Sequence, residues 1–341
     1  MVVIMQIGAT EEQIRRVEEA IEQAGFRSFM NPGVERKVIA VLGVVDAEKA
    51  LLADHFASMP GVERVTLISE PYKLPSRHSH PEDTIVRVGN AEIGGRTLAI
   101  IAGPCSVESR EQMLETAHAV KAAGANLLRG GAYKPRTSPY AFQGLGPKGL
   151  DILAEAKQAT GLPIVTEVVD PHDIEIVAEK ADLLQIGARN MQNFRLLQQV
   201  GETGLPVLLK RGAGCRVREL LTAAEYIMLE GNTNVILCER GITTFEDSTR
   251  YTTDVNAIPV LKHLSHLPVL VDPSHSTGYW RHVRPVAMAG IAAGADGVMV
   301  EVHPKPEEAL SDGPQSLRPE KFKVLMEDLA RVASAVNRKM P

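Results

Sequence analysis

This sequence has few cysteines and no excess of basic over acidic residues, and each of these absences excludes a class of protein. Cys105, Cys215 and Cys238 are the only cysteines among 341 residues, an odd set lying far apart. Such a set argues against a disulfide framework and for a reducing cytoplasm. The net charge of −5 provides no general basic surface that would attract nucleic acid. We therefore expect a cytoplasmic protein with no nucleic-acid partner.

Long hydrophobic runs are also missing. No apolar stretch approaches the length of a membrane-spanning helix. The opening MVVIMQIG lacks a basic leader and is followed at once by a charged helical pattern, which is not typical of a signal peptide. We expect no membrane partner. With 44% hydrophobic and 23% charged residues, the composition predicts a globular protein with one large domain and one small one.

Residues 1–70 show the pattern of a small α+β domain. The extended segments VVIMQI, FRSFM, RKVIAVLGV and VERVTLIS alternate with two helical patterns in the order strand, helix, strand, strand, helix, strand. This order predicts a ferredoxin-like domain. Because the segment lacks residues typical of a catalytic site, we expect a regulatory or oligomerisation role.

Residues 71–97 are expected to form a linker and a β-hairpin. The linker is polar and rich in proline, and its His78 and His80 are expected to be solvated rather than to form a metal pair. TIVRVGNAEIGG then predicts a hairpin that turns at GNAE.

Beyond this hairpin, short apolar runs alternate with amphipathic helical segments. The eight runs are LAIIAG, NLLRGG, PIVTEVV, DLLQIGA, PVLLKRG, VILCERG, PVLVDPSH and GVMVEVH. Apolar runs of this kind are typical of buried parallel strands. Eight strand-helix units predict an α/β fold, a (β/α)₈ TIM barrel, over residues 98–341. An open doubly wound sheet is the alternative, but no glycine-rich dinucleotide fingerprint follows the first strand.

Polar residues stand at the end of each apolar run. They are Cys105, Arg129, Glu167, Arg189, Lys210, Arg240, His275 and Glu301. The carboxyl ends of barrel strands converge on one rim, where barrel enzymes place their active sites. Solvated loop residues would account for one or two of these side chains, but not for a thiol and so many cations. We therefore predict one common cavity.

One set of these residues is cationic. Its members are Arg129, Lys134, Arg136, Arg189, Lys210 and Arg240. Clustered cations are tolerated only when anions neutralise them, and arginine forks suit phosphate and carboxylate. Gly130 and Gly131 permit close backbone approach, and Thr137 and Ser138 add hydroxyl groups. This set predicts strongly anionic substrates.

A second set combines one thiol, one imidazole and two carboxylates. Its members are Cys105, His275, Glu301 and Asp312. This mixture of soft and hard donors suits Mn²⁺, Fe²⁺, Co²⁺ or Zn²⁺ rather than Mg²⁺ alone. No short ligand spacing supports a metal site, and a Cys–His nucleophile pair or a purely packed Cys105 is also compatible with these residues.

Several long motifs resemble those of the 3-deoxy-D-arabino-heptulosonate 7-phosphate (DAHP) synthases. They are IAGPCSVES, LRGGAYKPRTSPYAFQGLG, IGARNMQNF, PVLLKRG, ILCERGITTFE, DPSHSTG and VEVHPKPEEALSDGPQSL. The resemblance covers essentially the whole chain and is strongest to the type I beta group with an N-terminal ferredoxin-like domain. It implies a (β/α)₈ barrel that condenses phosphoenolpyruvate with erythrose 4-phosphate and water to DAHP and phosphate, the first step of the shikimate pathway.

The resemblance also implies a role for each site residue. The divalent-metal ligands would be Cys105, His275, Glu301 and Asp312. The phosphoenolpyruvate site would contain Arg129, Lys134, Ala188 through its backbone, Arg189, Lys210 and Arg240. The tetrose phosphate site would contain Arg136, Thr137 and Ser138, with Asp272 near the aldehyde and Glu167 near the reacting carbon. The metal would polarise the aldehyde, and Lys134 or a water on the metal would protonate the new alkoxide.

The resemblance further implies a homotetramer and an aromatic amino acid effector bound by the N-terminal domain. Two other enzymes compete with this interpretation. One is 3-deoxy-D-manno-octulosonate 8-phosphate synthase, which acts on arabinose 5-phosphate and whose loop resembles Lys-Ala-Asn-Arg-Ser where this chain has Lys134-Pro135-Arg136-Thr137-Ser138. The other is a metal-dependent hydrolase on a barrel, which would need fewer cations.

Overall fold

The chain divides into two compact units. The computed structural model describes residues 1–31, 37–44, 49–67, 71–136 and 138–341. The first unit comprises Met1–Asp83 together with Leu264–His266. The second comprises Thr84–His263 together with Leu267–Pro341.

The first unit contains an antiparallel sheet with helices between its strands. Its elements are β1 (Val2–Met5), α1 (Glu11–Gln23), β2 (Arg27–Asn31), β3 (Val38–Leu42), α2 (Lys49–Ala57) and β4 (Val62–Thr66). The strands are ordered β2-β3-β1-β4, and all three neighbouring pairs among the described residues are antiparallel. This is the ferredoxin-like arrangement, so the prediction from the sequence is confirmed.

Helix α1 shows why this segment is helical. The Thr10 side chain accepts a hydrogen bond from the Gln13 N–H (3.2 Å), and the Gln13 side chain accepts one from the Thr10 N–H (2.9 Å). This capping box satisfies two backbone donors at the start of the helix. Ile14, Val17 and Ile21 recur at helical spacing and are buried in the core of this unit.

The connector after this domain is more buried than the sequence predicts. Tyr72, Leu74 and Ser76 are buried, and His78 is exposed as expected. The expectation of a solvated side chain is wrong for His80, which is half-buried with its ring 4.5 Å from that of His266. Apolar residues within a polar, proline-rich segment account for the difference, because they can be removed from water.

Because of His266, we expect the free energy of unfolding to fall in mild acid. Its ring is buried against the Leu74 carbonyl (Nε2 to O, 2.8 Å), and burial lowers the pKa of His266 from 6.5 to about 3. The unfolded chain therefore binds a proton that the folded chain excludes, so stability is lost as the pH falls from 6.5 towards 3. The expected loss is about 2 kcal/mol at pH 5.

Urea unfolding at pH 7 and pH 5 checks this prediction. His266→Gln keeps a donor for the carbonyl and is expected to lose less stability between the two pH values than the wild type. His118→Gln, which alters an exposed histidine, is the control and should retain the wild-type difference. Equal acid sensitivity in the wild type and His266→Gln would contradict the assignment.

The second unit begins with a hairpin and continues as a barrel. The strands are β5 (Val86–Val88), β6 (Ala91–Ile93), β7 (Ala99–Gly103), β8 (Leu127–Arg129), β9 (Ile164–Val168), β10 (Leu183–Ile186), β11 (Val207–Lys210), β12 (Val235–Glu239), β13 (Val269–Val271) and β14 (Gly297–Glu301). The pair β5 and β6 is antiparallel, which confirms the predicted hairpin.

The helices of this unit follow the barrel strands. They are α3 (Arg110–Ala122), α4 (Pro147–Thr160), α5 (Ile174–Ala178), α6 (Phe194–Glu202), α7 (Val217–Met228), α8 (Ala257–Leu264), α9 (Pro273–Thr277), α10 (Trp280–Ala292) and α11 (Pro319–Ala335). Short 3₁₀ turns lie at Pro171–Asp173, Ala188–Asn190, Pro306–Glu308 and Gly313–Gln315. Of the helices that the structure describes, none combines the length and apolar character needed to cross a membrane.

Within the described residues, eight parallel strands close into a barrel. Each strand from β7 to β13 pairs with the next along the chain, and β14 pairs with β7. The predicted (β/α)₈ barrel is therefore confirmed. The hairpin side chains Val86, Val88 and Ile93 join Leu127 and Leu183, the first residues of β8 and β10, in one buried cluster. The hairpin thus packs at the amino ends of the strands, opposite the ends that carry the polar residues.

Candidate active site

A cavity of about 320 Å³ lies at the carboxyl ends of the barrel strands. Among the residues predicted from the sequence, its lining includes Lys134, Arg136, Glu167, Ala188, Arg189, Lys210, Arg240, His275 and Asp312. Cys105, Arg129, Asp272 and Glu301 are buried and contact these residues or one another. Barrel closure thus brings side chains from distant parts of the chain to one site.

The thiol and carboxylate donors converge within this site. Ligand atoms of Cys105, Glu301 and Asp312 all lie within 4.8 Å of one another. His275 Nε2 is 3.4 Å from Glu301 Oε1 and 3.9 Å from Asp312 Oδ2. Cys105 follows β7, Glu301 ends β14, and His275 lies in α9, so three neighbouring strands of the barrel carry these donors. The structure therefore brings together all four residues of the second set, Cys105, His275, Glu301 and Asp312, which we call the donor set.

The chemistry of these donors fits a divalent transition metal. A thiolate, an imidazole and carboxylates together suit Mn²⁺, Fe²⁺, Co²⁺ or Zn²⁺. Burial and the nearby Glu301 carboxylate raise the pKa of Cys105 to about 12, so without a cation the thiol keeps its proton. Consistent with this, the Cys105 thiol donates to Asp312 Oδ2 at 3.2 Å. A bound cation would displace that proton, because the thiolate is the form that binds metals.

Asp272 sets the orientation of His275. Its carboxylate is fully buried and accepts hydrogen bonds from His275 Nδ1 (2.7 Å) and Lys210 Nζ (2.5 Å). Burial alone would raise the pKa of Asp272, but its interactions with His275 and Lys210 hold it well below its usual range. Because the carboxylate can only accept, the Nδ1 atom carries the proton and Nε2 keeps its lone pair for a ligand. Burial lowers the pKa of His275, which favours the same neutral form.

Arg129 and Lys134 bring positive charge next to the donor set. Arg129 Nη1 pairs with Glu301 Oε1 at 2.5 Å, and its Nε is buried without a hydrogen-bond partner in the described part of the chain. Lys134 Nζ lies 3.0 Å from the Cys105 carbonyl oxygen and 3.1 Å from its sulfur. Burial alone would lower the pKa of Lys134, but its contact with the Cys105 side chain and the charge of Glu167 raise it. Both side chains are therefore cationic at neutral pH.

Three further arginines surround the cavity. Arg240 is buried with its guanidinium 4.2 Å from the centre of the Tyr251 ring. Arg189 is exposed and donates to the Pro135 carbonyl at 3.0 Å. Arg136 has a buried Nη2 atom with no partner among the described residues. Unpaired guanidinium donors beside a cavity point to an anionic ligand, since such groups are costly to leave unsatisfied.

Glu167 lines the cavity and lies against a glycine. Its Oε2 atom accepts a hydrogen bond from Gln185 Nε2 at 3.2 Å. A Cβ atom at Gly187 would lie 2.0 Å from Glu167 Oε1, so this close approach requires a residue without a side chain. The absence of a side chain at Gly187 therefore leaves room for the Glu167 carboxylate beside the cavity.

Two predicted residues of the tetrose phosphate site are not among the described residues that line the cavity. Ser138 is exposed, and the described residues that line the cavity do not include it. Thr137 lies outside the described residues.

The structure adds polar residues that the sequence analysis missed. Gln185, Arg250 and Tyr251 line the cavity, and Gln315 donates to Glu301 Oε2 at 2.6 Å. Gln185 could have been recognised as the polar residue within the apolar run DLLQIGA. Arg250 and Tyr251 lie in a loop without periodicity, which gave no such signal.

Comparison with known proteins finds relatives that match both units of the chain. Residues 1–70 match the DAHP synthase ferredoxin-like domain, and residues 82–337 match the DAHP synthetase I family. The chain is 51% identical over 340 residues to phospho-2-dehydro-3-deoxyheptonate aldolase of Thermotoga maritima, covering 100% of both chains. The crystal structure of that organism's DAHP synthase matches with a TM-score of 0.79 and 50% identity, covering 100% of this chain and 99% of the other.

A second group of relatives is more distant. The 2-dehydro-3-deoxyphosphooctonate aldolase of Caulobacter vibrioides is 36% identical over 269 residues, covering 74% of this chain and 91% of that relative. The heptonate aldolase therefore matches at higher identity and over the full length. With both of its units matched and the barrel closed around the predicted residues, the chain belongs to the DAHP synthetase I family.

Proposed function

We propose that this protein is a 3-deoxy-7-phosphoheptulonate synthase. It condenses phosphoenolpyruvate with erythrose 4-phosphate and water, and it releases DAHP and inorganic phosphate. One observation carries the proposal: a single cavity joins a cluster of cations to a thiol, imidazole and carboxylate donor set. The full-length match to a heptonate aldolase supports the same reaction.

The cations divide between two substrates. Phosphoenolpyruvate carries a phosphate and a carboxylate, which we assign to Arg129, Lys134, Arg189, Lys210 and Arg240, with the backbone of Ala188. Erythrose 4-phosphate carries one phosphate, which we assign to Arg136 with the hydroxyls of Thr137 and Ser138. The unpaired Nη2 atom of Arg136 supports the second assignment. Holding the two anions together overcomes their mutual repulsion. This positioning can lower the activation barrier by several kcal/mol.

The metal ligands are proposed to be Cys105, His275, Glu301 and Asp312. A divalent ion bound there supplies Lewis acidity to the aldehyde oxygen. The ion is proposed to be Mn²⁺, Fe²⁺, Co²⁺ or Zn²⁺, in keeping with the mixed donors. Asp272 keeps His275 in the tautomer that presents Nε2, and Arg129 balances the charge of Glu301.

Lys134 is proposed as the proton donor. The π electrons of phosphoenolpyruvate form the new bond from its C3 to the aldehyde carbon, while the aldehyde oxygen gains an electron pair. Lys134, cationic and 3.1 Å from the Cys105 sulfur, donates a proton to that oxygen. Water then adds to the electron-poor C2, and one of its protons restores the Lys134 ammonium. Phosphate leaves with its bonding electron pair and takes the second proton of that water, as the C2 ketone forms. Glu167 is assigned a place near the reacting carbon.

Family membership also supports proposals about the oligomeric state, the location and the regulation of the protein. We assign a homotetramer, a cytoplasmic location and an aromatic amino acid effector bound by the ferredoxin-like unit. These proposals rest on the resemblance of the complete chain to its family.

An assay of phosphoenolpyruvate consumption tests the proposed reaction. We expect consumption with erythrose 4-phosphate, little with arabinose 5-phosphate and none without an aldose. Exhaustive chelation should abolish activity, and adding back Mn²⁺ should restore it. Preference for arabinose 5-phosphate would identify an octulosonate synthase instead, and consumption without an aldose would identify a hydrolase. Either result would overturn the proposal.

A further inference from the structure

We propose that two adjacent loop residues, Arg250 and Tyr251, position both halves of the active site. They lie between β12 and α8, and both line the cavity. Tyr251 orients the anion-binding Arg240, and Arg250 orients the Asp312 carboxylate. The inference deepens the proposed function and rests on it, because it assigns positioning residues to that same site.

Tyr251 supports Arg240 from one side. The guanidinium carbon lies 4.2 Å from the ring centre, which is a close cation–π contact. Within the described part of the chain, the Arg240 guanidinium has no hydrogen-bond acceptor, so the aromatic ring is the contact that supports it. All five N–H donors stay available for phosphate or carboxylate.

Arg250 supports the donor set. Its Nη1 atom lies 3.3 Å from Asp312 Oδ1 and 3.0 Å from Gln315 Oε1. Gln315 in turn donates to Glu301 Oε2 at 2.6 Å. Asp312 has a φ of 51°, a conformation that costs energy for a residue with a side chain and needs support from its surroundings. Arg250 therefore holds one proposed ligand directly and a second through Gln315.

The backbone of the Arg250–Tyr251 pair is anchored to α9 and the residues around it. The Arg250 N–H donates to Thr277 O at 3.1 Å, and the Tyr251 N–H donates to Ser276 O at 2.8 Å. A Cβ atom at Gly278 would lie 2.5 Å from Arg250 Cβ, and one at Gly241 would lie 2.6 Å from Tyr251 Cβ. Both glycines also have positive φ, so the close packing of the pair depends on them.

Substitution of Tyr251 tests its proposed role in anion binding by Arg240. In Tyr251→Leu we expect the dissociation constant and the KM of phosphoenolpyruvate to rise about fivefold to thirtyfold, because Arg240 loses its cation–π contact. Tyr251→Phe keeps the ring and should remain within about twofold of the wild type. Mn²⁺ binding, measured by electron paramagnetic resonance, should be unchanged in both variants. Calorimetric titration with phosphoenolpyruvate gives the dissociation constant.

Substitution of Arg250 tests its proposed role in orienting the metal ligand Asp312. Arg250→Met should raise the Mn²⁺ dissociation constant about tenfold to a hundredfold, since residues that orient metal ligands have effects of this size. Arg250→Lys, which keeps a cationic donor, should recover part of the affinity. The dissociation constant of phosphoenolpyruvate should change less than that of Mn²⁺. Circular dichroism confirms that each variant is folded.

The two binding measurements separate the inference from the proposed function. Wild-type affinity for phosphoenolpyruvate in folded Tyr251→Leu, or wild-type affinity for Mn²⁺ in folded Arg250→Met, would overturn the inference alone. Equal losses in Tyr251→Phe and Tyr251→Leu would also overturn it, because the ring would not be the cause. If the wild type bound Mn²⁺ but not phosphoenolpyruvate, the proposed function would fail and the role of Tyr251 with it.

Discussion

Replacing Cys105 by alanine should abolish metal-dependent turnover while leaving the barrel folded. Cys105 supplies the soft donor of the set it forms with Glu301 and Asp312. Lewis acid stabilisation of developing charge contributes several kcal/mol, so its loss should lower kcat about a hundredfold to a thousandfold. Mn²⁺ titration followed by electron paramagnetic resonance should show weaker binding, and steady-state assays should show the loss of activity.

Cys238→Ala is the matched control for this experiment. Cys238 is as buried as Cys105, but its side chain belongs to the apolar cluster inside the barrel. We expect this variant to lose some stability and to keep metal-dependent turnover. Near-normal activity of Cys105→Ala after exhaustive chelation would contradict the metal assignment, and it would leave Cys105 with a packing role.

The barrel could be predicted from the sequence because its strands are buried on both faces. Each of the runs from LAIIAG to GVMVEVH corresponds to one barrel strand, from β7 to β14. A strand covered on both sides consists almost entirely of apolar residues, so the polar residue at its end marks the rim. Closure then places residues as distant as Cys105 and Asp312 within 3.2 Å of each other.

The charge balance of the site could not be predicted from residue types alone. On residue types alone, every cation at the rim is expected to need a substrate anion. The structure instead pairs Arg129 with Glu301 and Lys210 with Asp272. These two cations are partly neutralised by the protein, so the demand for external anions rests more on Arg136, Arg189 and Arg240. Which ions pair depends on side-chain positions that no sequence pattern encodes.

The contacts made by the loop that contains Arg250 and Tyr251 could not be predicted from the sequence either. Arg250 and Tyr251 lie in a segment without helical or strand periodicity, yet they contact Asp312 and Arg240. Their positions follow from backbone hydrogen bonds to Thr277 and Ser276, residues that only the folded barrel brings beside this loop. Periodicity identifies elements, whereas the conformation of an irregular loop depends on the surface against which it packs.

Replacing Lys134 by methionine should lower kcat about a hundredfold to ten-thousandfold, because the reaction loses its proton donor. The KM of phosphoenolpyruvate should also rise, since a cation is removed from its proposed site. Lys121→Met, which removes an exposed lysine on α3, is the control and should behave as the wild type. Single-turnover kinetics and calorimetric titration separate the two effects.

Lys134→Arg distinguishes proton transfer from charge alone. Arginine keeps the positive charge but does not release a proton at neutral pH. We therefore expect this variant to bind phosphoenolpyruvate within several-fold of the wild type while its kcat stays as low as that of Lys134→Met. Recovery of kcat in Lys134→Arg would show that charge at this position is sufficient. In that case the proton must come from another group near the aldehyde oxygen, and Lys134 would act only in binding.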